Sequence, residues 1–172
     1  IHEDFLKYDI LKHFRNDVCL LGNLPYNISS QIFLKALDHR QTVSHMLFMV
    51  QKEVAERIAS KHGSKTYGIL SVLLKAFYKI EYLFTVNETV FFPRPRVKSA
   101  FIRLSRLSDY QLDCDEKLFF QVVKTAFNQR RKTLRNALKP LGKDMESISP
   151  DLLDKRAEQL QVKDFVYLSG KL

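Results

Sequence analysis

Asn23-Leu24-Pro25-Tyr26 brings three chemical tools into four consecutive residues. Asn23 offers a side-chain amide with one acceptor oxygen and two donor hydrogens. Pro25 stiffens the backbone and keeps a carbonyl that still accepts. Tyr26 offers an aromatic face. Together they can hold a flat ring that bears an amino group. A plain turn is the competing reading, because Asn, Gly and Pro are common turn residues. A second aromatic pair, Phe91-Phe92, precedes Pro93 and Pro95 in a polar stretch. Rings such as Tyr26 and Phe91 at one edge of a sheet can sandwich a base taken out of its stack. Such stacking contributes about 1–3 kcal/mol per base.

Other catalytic constellations are missing from the sequence. The five histidines, His2, His13, His39, His45 and His62, have no Cys or carboxylate partners at metal or triad spacing, so no metal is expected. There is no nucleophile elbow and no phosphate loop. Gly22 reads as a residue that lets the backbone turn or approach a ligand. The two cysteines, Cys19 and Cys114, form neither a disulfide framework nor a zinc pattern. Cys19 lies in an apolar run and is expected to be a buried small hydrophobe. The default setting is therefore reducing and cytoplasmic. No apolar run is long enough to span a membrane.

Charge points to a polyanion. Lys and Arg number 28 against 19 acidic residues, a formal net charge of +9. From Thr89 to Ser108 there are five bases, Arg94, Arg96, Lys98, Arg103 and Arg106, and no acid. From Lys117 to Lys143 there are eight bases, among them Arg130, Arg131, Lys132 and Arg135, and again no acid. Such stretches suit phosphate, and Arg binds two of its oxygens at once. A solvated helix face is the bland alternative for a single run; two runs, one beside a Phe-Pro loop, favour nucleic acid.

The elements that position these groups follow from periodicity. Val18 to Leu21 reads as a strand apolar on both faces, the habit of a parallel strand. Ser30 is a candidate N-cap for a helix carrying Ile32, Phe33, Ala36 and Leu37. His45 to Val50 is the next strand and Lys52 to Ala59 the next helix, which indicates an α/β sheet. The Asn23 loop then sits at the carboxyl end of a strand, where open sheets bind ligands. Gly68 to Phe77 leans to helix. Lys79 to Val86 and Val97 to Leu107 read as antiparallel strands; Ala100, Ile102 and Leu104 face one way, Ser99, Phe101 and Arg103 the other. Beyond a boundary at Ser108 to Asp115 everything looks helical, over Leu118 to Phe127, Leu134 to Leu141, Leu152 to Leu160 and Lys163 to Leu172. The domains expected are 1–108, a partial sheet domain, and 109–172, an all-helical domain. Ile1 to Phe5 reads as the end of a strand, so the sheet is expected to lack its first strands.

Four stretches carry a family resemblance that covers essentially the whole chain: Gly22 through Ser29; Gln51-Lys52-Glu53-Val54; Phe91-x-Pro93-x-Pro95-x-Val97-x-Ser99-Ala100; and Ala126 through Asn136. Together they resemble the KsgA family, the S-adenosylmethionine-dependent adenine-N6,N6-dimethyltransferases of small-subunit ribosomal RNA. The resemblance implies the C-terminal part of a Rossmann-like methyltransferase sheet followed by a small helical RNA-binding domain. It implies S-adenosylmethionine as methyl donor, ribosomal RNA and the small subunit as partners, a role in subunit biogenesis, and a monomer.

The resemblance also assigns residues. The Asn23 oxygen and the Leu24 or Pro25 carbonyl would accept hydrogen bonds from a flipped adenine, with Tyr26 and Phe91 stacking on it. Asp4, with the Phe5 backbone and Asn23, would bind the cofactor. Arg94, Arg96, Lys98, Arg130, Arg131, Lys132 and Arg135 would meet RNA. The family's Gly-rich cofactor loop would lie before Ile1, so this chain alone is expected to be inactive. Two alternatives remain: a large-subunit adenine-N6 methyltransferase of the macrolide-resistance type, and a non-catalytic RNA-binding or ribosome-assembly fragment.

Overall fold

The computed structural model describes residues 3–109 and 111–172; Ile1, His2 and Tyr110 lie outside the described residues. The chain divides into two compact units, 3–59 with 77–109, and 60–76 with 111–172. Residues 60–76 thus belong with the helical unit, although they precede two of the strands in sequence.

In the first unit, a short helix, α1 (Ile10–His13), is capped by the Asp9 carboxylate, which accepts from the N–H groups of Leu11 and Lys12. Strand β1 (Val18–Asn23) follows, then helix α2 (Ser29–Asp38), strand β2 (Val43–Gln51) and helix α3 (Lys52–Ala59). Within the second unit comes α4 (Ile69–Lys75), and the first unit resumes with β3 (Tyr78–Val86) and β4 (Ser99–Arg106). The sheet order is β1-β2-β4-β3. β1 runs parallel to β2, and β4 pairs antiparallel with both β2 and β3. The α/β class and the antiparallel pairing expected from sequence are both present.

Burial explains why the sheet holds. Met46 and Val50 on the inner strand β2, and Ala100, Ile102 and Leu104 on β4, are fully buried. On α2, Ile32, Phe33, Ala36 and Leu37 recur at helical spacing and are at most 4% exposed. Phe33 meets Phe48 edge to face at 5.3 Å. The buried Tyr78 hydroxyl donates to the Val43 carbonyl at 2.8 Å, so the start of β3 is tied to the start of β2.

Some local expectations need correction. Asp4 and Phe5 do not close a strand: Glu3 and Asp4 have no regular structure, Phe5 to Lys7 form a turn, and the Asp4 carbonyl accepts from the N–H groups of Lys7 and Tyr8. Ile1 and His2, the rest of that expected strand, are outside the described residues. β1 is not covered on both faces. It is the edge strand of the described sheet, its burial alternates, Leu21 is 74% exposed and Cys19 is exposed instead of buried. Ser30 does not cap α2, which starts one residue earlier.

The second unit has a core of its own. Helix α5 (Glu116–Asn128) is capped by the Asp115 carboxylate, which accepts from Lys117 N–H at 2.8 Å, and it buries Phe119, Val122, Val123, Ala126 and Phe127. The Phe127 ring meets Tyr67 at 6.0 Å and Phe165 at 5.9 Å. Helix α6 (Leu134–Ala137) continues into a 3-10 turn that ends at Gly142, whose φ of 63° is the left-handed conformation glycine adopts freely. Helices α7 (Pro150–Leu153) and α8 (Val162–Lys171) complete the unit. The single helix expected over Leu152 to Leu160 is broken, because 154–156 is drawn out to meet the start of α6. Thr133 bridges to Arg156, and Leu134 N–H donates to the Lys155 carbonyl at 2.8 Å.

Candidate active site

Asn23 is the last residue of β1, and Leu24 N–H extends the ladder by donating to the Met49 carbonyl at 3.0 Å. The chain then leaves the sheet and turns immediately. Ile28 N–H donates to the Pro25 carbonyl at 3.2 Å, and the Ser29 hydroxyl donates to the Tyr26 carbonyl at 3.3 Å. The tetrapeptide is thereby clamped between β1 and α2. Two acceptors remain without a partner in the chain, among the described residues: the Asn23 side-chain oxygen and the Leu24 carbonyl.

The opposite wall comes from the loop between β3 and β4. Its base is fixed where Lys52 N–H donates to the Lys98 carbonyl at 2.9 Å. The Tyr26 hydroxyl lies 2.7 Å from the Ser99 hydroxyl at the first residue of β4. A cleft of about 380 Å³ results, with Asn23, Leu24, Pro25 and Tyr26 on one side. Phe91, Phe92 and two prolines of the loop form the other. The five residues expected at the reaction centre are therefore together. A second cavity of about 370 Å³ shares Leu24 and Pro25 with this cleft. It is walled by apolar side chains, including Leu20, Ile32 and Phe48, with Asp4 and Phe5 at its lining. One Asp4 carboxylate oxygen already accepts from Leu6 N–H at 3.0 Å.

Sequence reasoning missed one support of the cleft. Ser99, read from the sequence only as sharing a strand face with Phe101 and Arg103, is fully buried as the partner of Tyr26. Its place just after a proline-bearing loop is the signal that marks it. Phe92 stands at 102% exposure beside the cleft, the most exposed large hydrophobic side chain among the described residues.

The basic residues separate into groups. In the first stretch, Arg94 pairs with Glu88 at 2.6 Å, Arg103 with Glu81 at 3.0 Å, and Arg106 with Asp17 at 2.8 Å. Arg106 also donates to the carbonyls of Arg40 and Gln41, locking the end of β4 to the turn before β2. Glu88 is held below the usual carboxylate range by its own backbone N–H and then by Arg94. Arg96 and Lys98 are exposed. In the second unit, Arg130 pairs with Glu158 at 2.6 Å and donates to the Lys65 carbonyl at 2.7 Å. Arg135 pairs with Asp154 at 3.2 Å. Arg131 and Lys132 are exposed.

Among the described residues no three His, Cys, Asp or Glu side chains converge as a metal site. Among them, too, no helix is long and apolar enough to cross a membrane.

Comparison with known proteins adds the following. The sequence model of a family described as ribosomal RNA adenine dimethylase matches residues 1–169. A protein of Parabacteroides distasonis named ribosomal RNA small subunit methyltransferase A is 58% identical over 98% of this chain and 64% of its own length. The chain thus spans just under two thirds of that relative. A crystal structure of a dimethyladenosine transferase from Plasmodium falciparum superposes with a TM-score of 0.79 at 25% identity, covering 96% of this chain and 69% of that one. A crystal structure of the 23S rRNA methyltransferase ErmE shares the fold at a TM-score of 0.62 and 21% identity, over 98% of this chain and 70% of that one.

Proposed function

Because the chain belongs to the ribosomal RNA adenine dimethylase family, we propose that its Asn23 cleft receives an adenine of small-subunit ribosomal RNA for methylation at N6, twice in succession, within the biogenesis of that subunit in the cytoplasm. The observation that carries this reading is the pair of unpartnered acceptors, the Asn23 oxygen and the Leu24 carbonyl, set in one cleft with Tyr26 and Phe91. An adenine amino group has two hydrogens to give to two such oxygens. The Pro25 carbonyl already accepts from Ile28 N–H, which favours Leu24 as the second acceptor.

With both hydrogens held, the nitrogen lone pair is aimed out of the base plane toward a methyl donor. As the lone pair attacks, positive charge develops on nitrogen, and the two oxygens stabilise it. Among the described residues no carboxylate or histidine lines the cleft, and the proton passes to solvent. Tyr26 and Phe91 fix the base by stacking, and much of the rate enhancement is positional.

The second cavity fits a methyl donor with a purine ring: it is apolar, it shares two residues with the acceptor cleft, and it carries one carboxylate, Asp4. S-adenosylmethionine supplies an activated methyl group when bound. Asp4 would accept from the amino group of its adenine, with Phe5 beside it; Leu24 and Pro25 join the two cavities, and Asn23, one residue before them, would meet the donor from the cleft side. Arg96, Lys98, Arg131 and Lys132 are the exposed bases offered to RNA phosphate, with Arg94, Arg130 and Arg135 already engaged by acids. A monomer suffices, since both cavities are built from one chain.

The small-subunit reading is supported by the name of the 58%-identical relative. The likeness to the large-subunit enzyme rests on 21% identity and concerns the fold. The test is methyl transfer by the full-length protein from labelled S-adenosylmethionine to a small-subunit RNA hairpin, with nucleoside mass spectrometry. N6,N6-dimethyladenine is the expected product. RNA binding without any methyl transfer would instead support the assembly-factor alternative.

A further inference from the structure

A cavity in the helical unit has no part in the chemistry above. It measures about 360 Å³ and is lined by Lys61, His62, Tyr67, Lys75, Gln161 and Lys163, with one apolar residue, Val162. Three ammonium groups and an imidazole line it, and among the described residues no carboxylate does. These residues come from two distant parts of the chain: the loop 61–67 with α4, and the first turn of α8. The tertiary structure assembles the charge.

Several features hold Lys75, His62 and the loop of the cavity in place. Lys75 donates to the Ser60 carbonyl and lies over the Tyr67 ring, 5.8 Å from its centroid. Gln161 Nε2 lies 3.3 Å from His62 Nε2. The loop itself is anchored, since Gly63 N–H donates to the Glu158 carbonyl at 2.6 Å and Arg130 donates to the Lys65 carbonyl. Burial and the neighbouring Lys61 both press the Lys75 ammonium toward losing its proton. Burial is the larger of these pressures and the like charge of Lys61 the smaller. An anion in the cavity would offset them. Two backbone N–H groups at the start of α8, those of Val162 and Lys163, precede the first intrahelical bond and add donors on the same side. Asp164, in the first turn of α8, is an acid close to the cavity. It accepts from Gln161 N–H at 2.8 Å, and it raises the Tyr67 hydroxyl further above its burial-shifted range.

We propose that this cavity is a phosphate subsite, and that its ligand is a backbone phosphodiester of the RNA whose adenine enters the Asn23 cleft. The inference rests on the RNA-substrate reading above. A planar carboxylate would use few of these donors, whereas a tetrahedral phosphate accepts from several directions at once. The first turn of α8 and the loop 61–67 then act as a clamp on the sugar–phosphate chain. It reads no bases and sets only position.

The test uses the full-length protein and a small-subunit RNA hairpin, with affinity measured at several salt concentrations. Lys61→Gln combined with Lys163→Gln is expected to weaken binding about ten-fold near 0.1 M salt and to lower the slope of log affinity against log salt by about 0.8 for each phosphate lost. Both lysines are exposed, so the fold should survive, and a thermal melt checks it. Lys117→Gln with Lys124→Gln removes equal charge from α5 and should change binding far less. Equal losses from both pairs would overturn the subsite in favour of general attraction. Inorganic phosphate added to the unmodified protein should shift the His62 ring and Val162 amide resonances; shifts spread evenly over the unit, or none, would count against it. Wild-type protein that methylates the hairpin while the Lys61 and Lys163 changes do nothing sinks this inference alone. Wild-type protein that binds without methylating sinks the catalytic reading alone, and failure to bind sinks both.

Discussion

The Tyr26 hydroxyl and the Ser99 hydroxyl stand 2.7 Å apart across 73 residues of chain. This bond joins the loop after β1 to the first residue of β4, and so sets the width of the cleft between Asn23 and Phe91. Ser99 is fully buried, which leaves its oxygen no water to fall back on. Tyr26→Phe keeps the ring but strands that group. A stability loss of about 1–3 kcal/mol is expected, with weaker methyl transfer. Tyr26→Phe and Ser99→Ala should be strongly non-additive in urea unfolding; simple additivity would show that the two hydroxyls do not act together.

Asn23→Ala removes one of the two acceptors that hold the adenine amino group. Single-turnover methyl transfer is expected to fall at least about 100-fold, while RNA affinity stays within about two-fold of wild type. Asn23 makes no side-chain bond within the described residues, so the fold has little to lose. Turnover at the normal rate would remove Asn23 from the chemistry.

Phe92 makes the opposite kind of prediction. At 102% exposure it contributes almost nothing to the core, and Phe92→Ala should shift stability by less than about 0.5 kcal/mol. If its ring stacks on a base next to the flipped adenine, binding of RNA with unpaired bases should weaken by about 1–3 kcal/mol. Fluorescence of 2-aminopurine placed beside the target reads this directly, and an unchanged signal would leave Phe92 idle.

Arg130 and Arg131 are neighbours in sequence with different duties. Arg130 ties Glu158 to the loop at Lys65, so Arg130→Ala should lower the melting temperature, at a cost of roughly 1–2 kcal/mol. Arg131→Ala with Lys132→Ala should leave the melt unchanged and flatten the salt dependence of RNA binding. The reverse pattern would contradict the assignment of both.

Acid should loosen the sheet unit through Glu81. The Arg103 hydrogen bond, with the charges of Arg103 and Lys79, holds Glu81 below the ordinary carboxylate value of 4.5. The folded state therefore binds fewer protons than the unfolded state just below pH 4.5. The resulting stability is complete above that pH and disappears as pH falls through the folded value. Urea midpoints measured from about pH 6 down to about pH 3 should fall less steeply for Glu81→Gln than for wild type. Parallel curves would mean the pair carries no pH-dependent stability.

The order of strands and helices from β1 to α3 was readable in the chain, because apolar spacing at periods of two and 3.6 is a local property. So was the Asn23 to Tyr26 loop, whose position between a strand and a helix follows from the same patterns. Which cations are available to a ligand was not readable. The two basic stretches contain no acid in sequence, yet the fold brings acids to Arg94, Arg103, Arg106, Arg130 and Arg135. Asp17 reaches Arg106 across 89 residues. The exposure of Cys19 and Leu21 likewise depends on where β1 lies in the sheet, and the break after α7 depends on Thr133 meeting Arg156. Periodicity records how a residue relates to its neighbours along the chain. Ion pairing, edge position and the cluster of lysines between the loop 61–67 and α8 depend on contacts between segments far apart in it, and only the tertiary structure decides those.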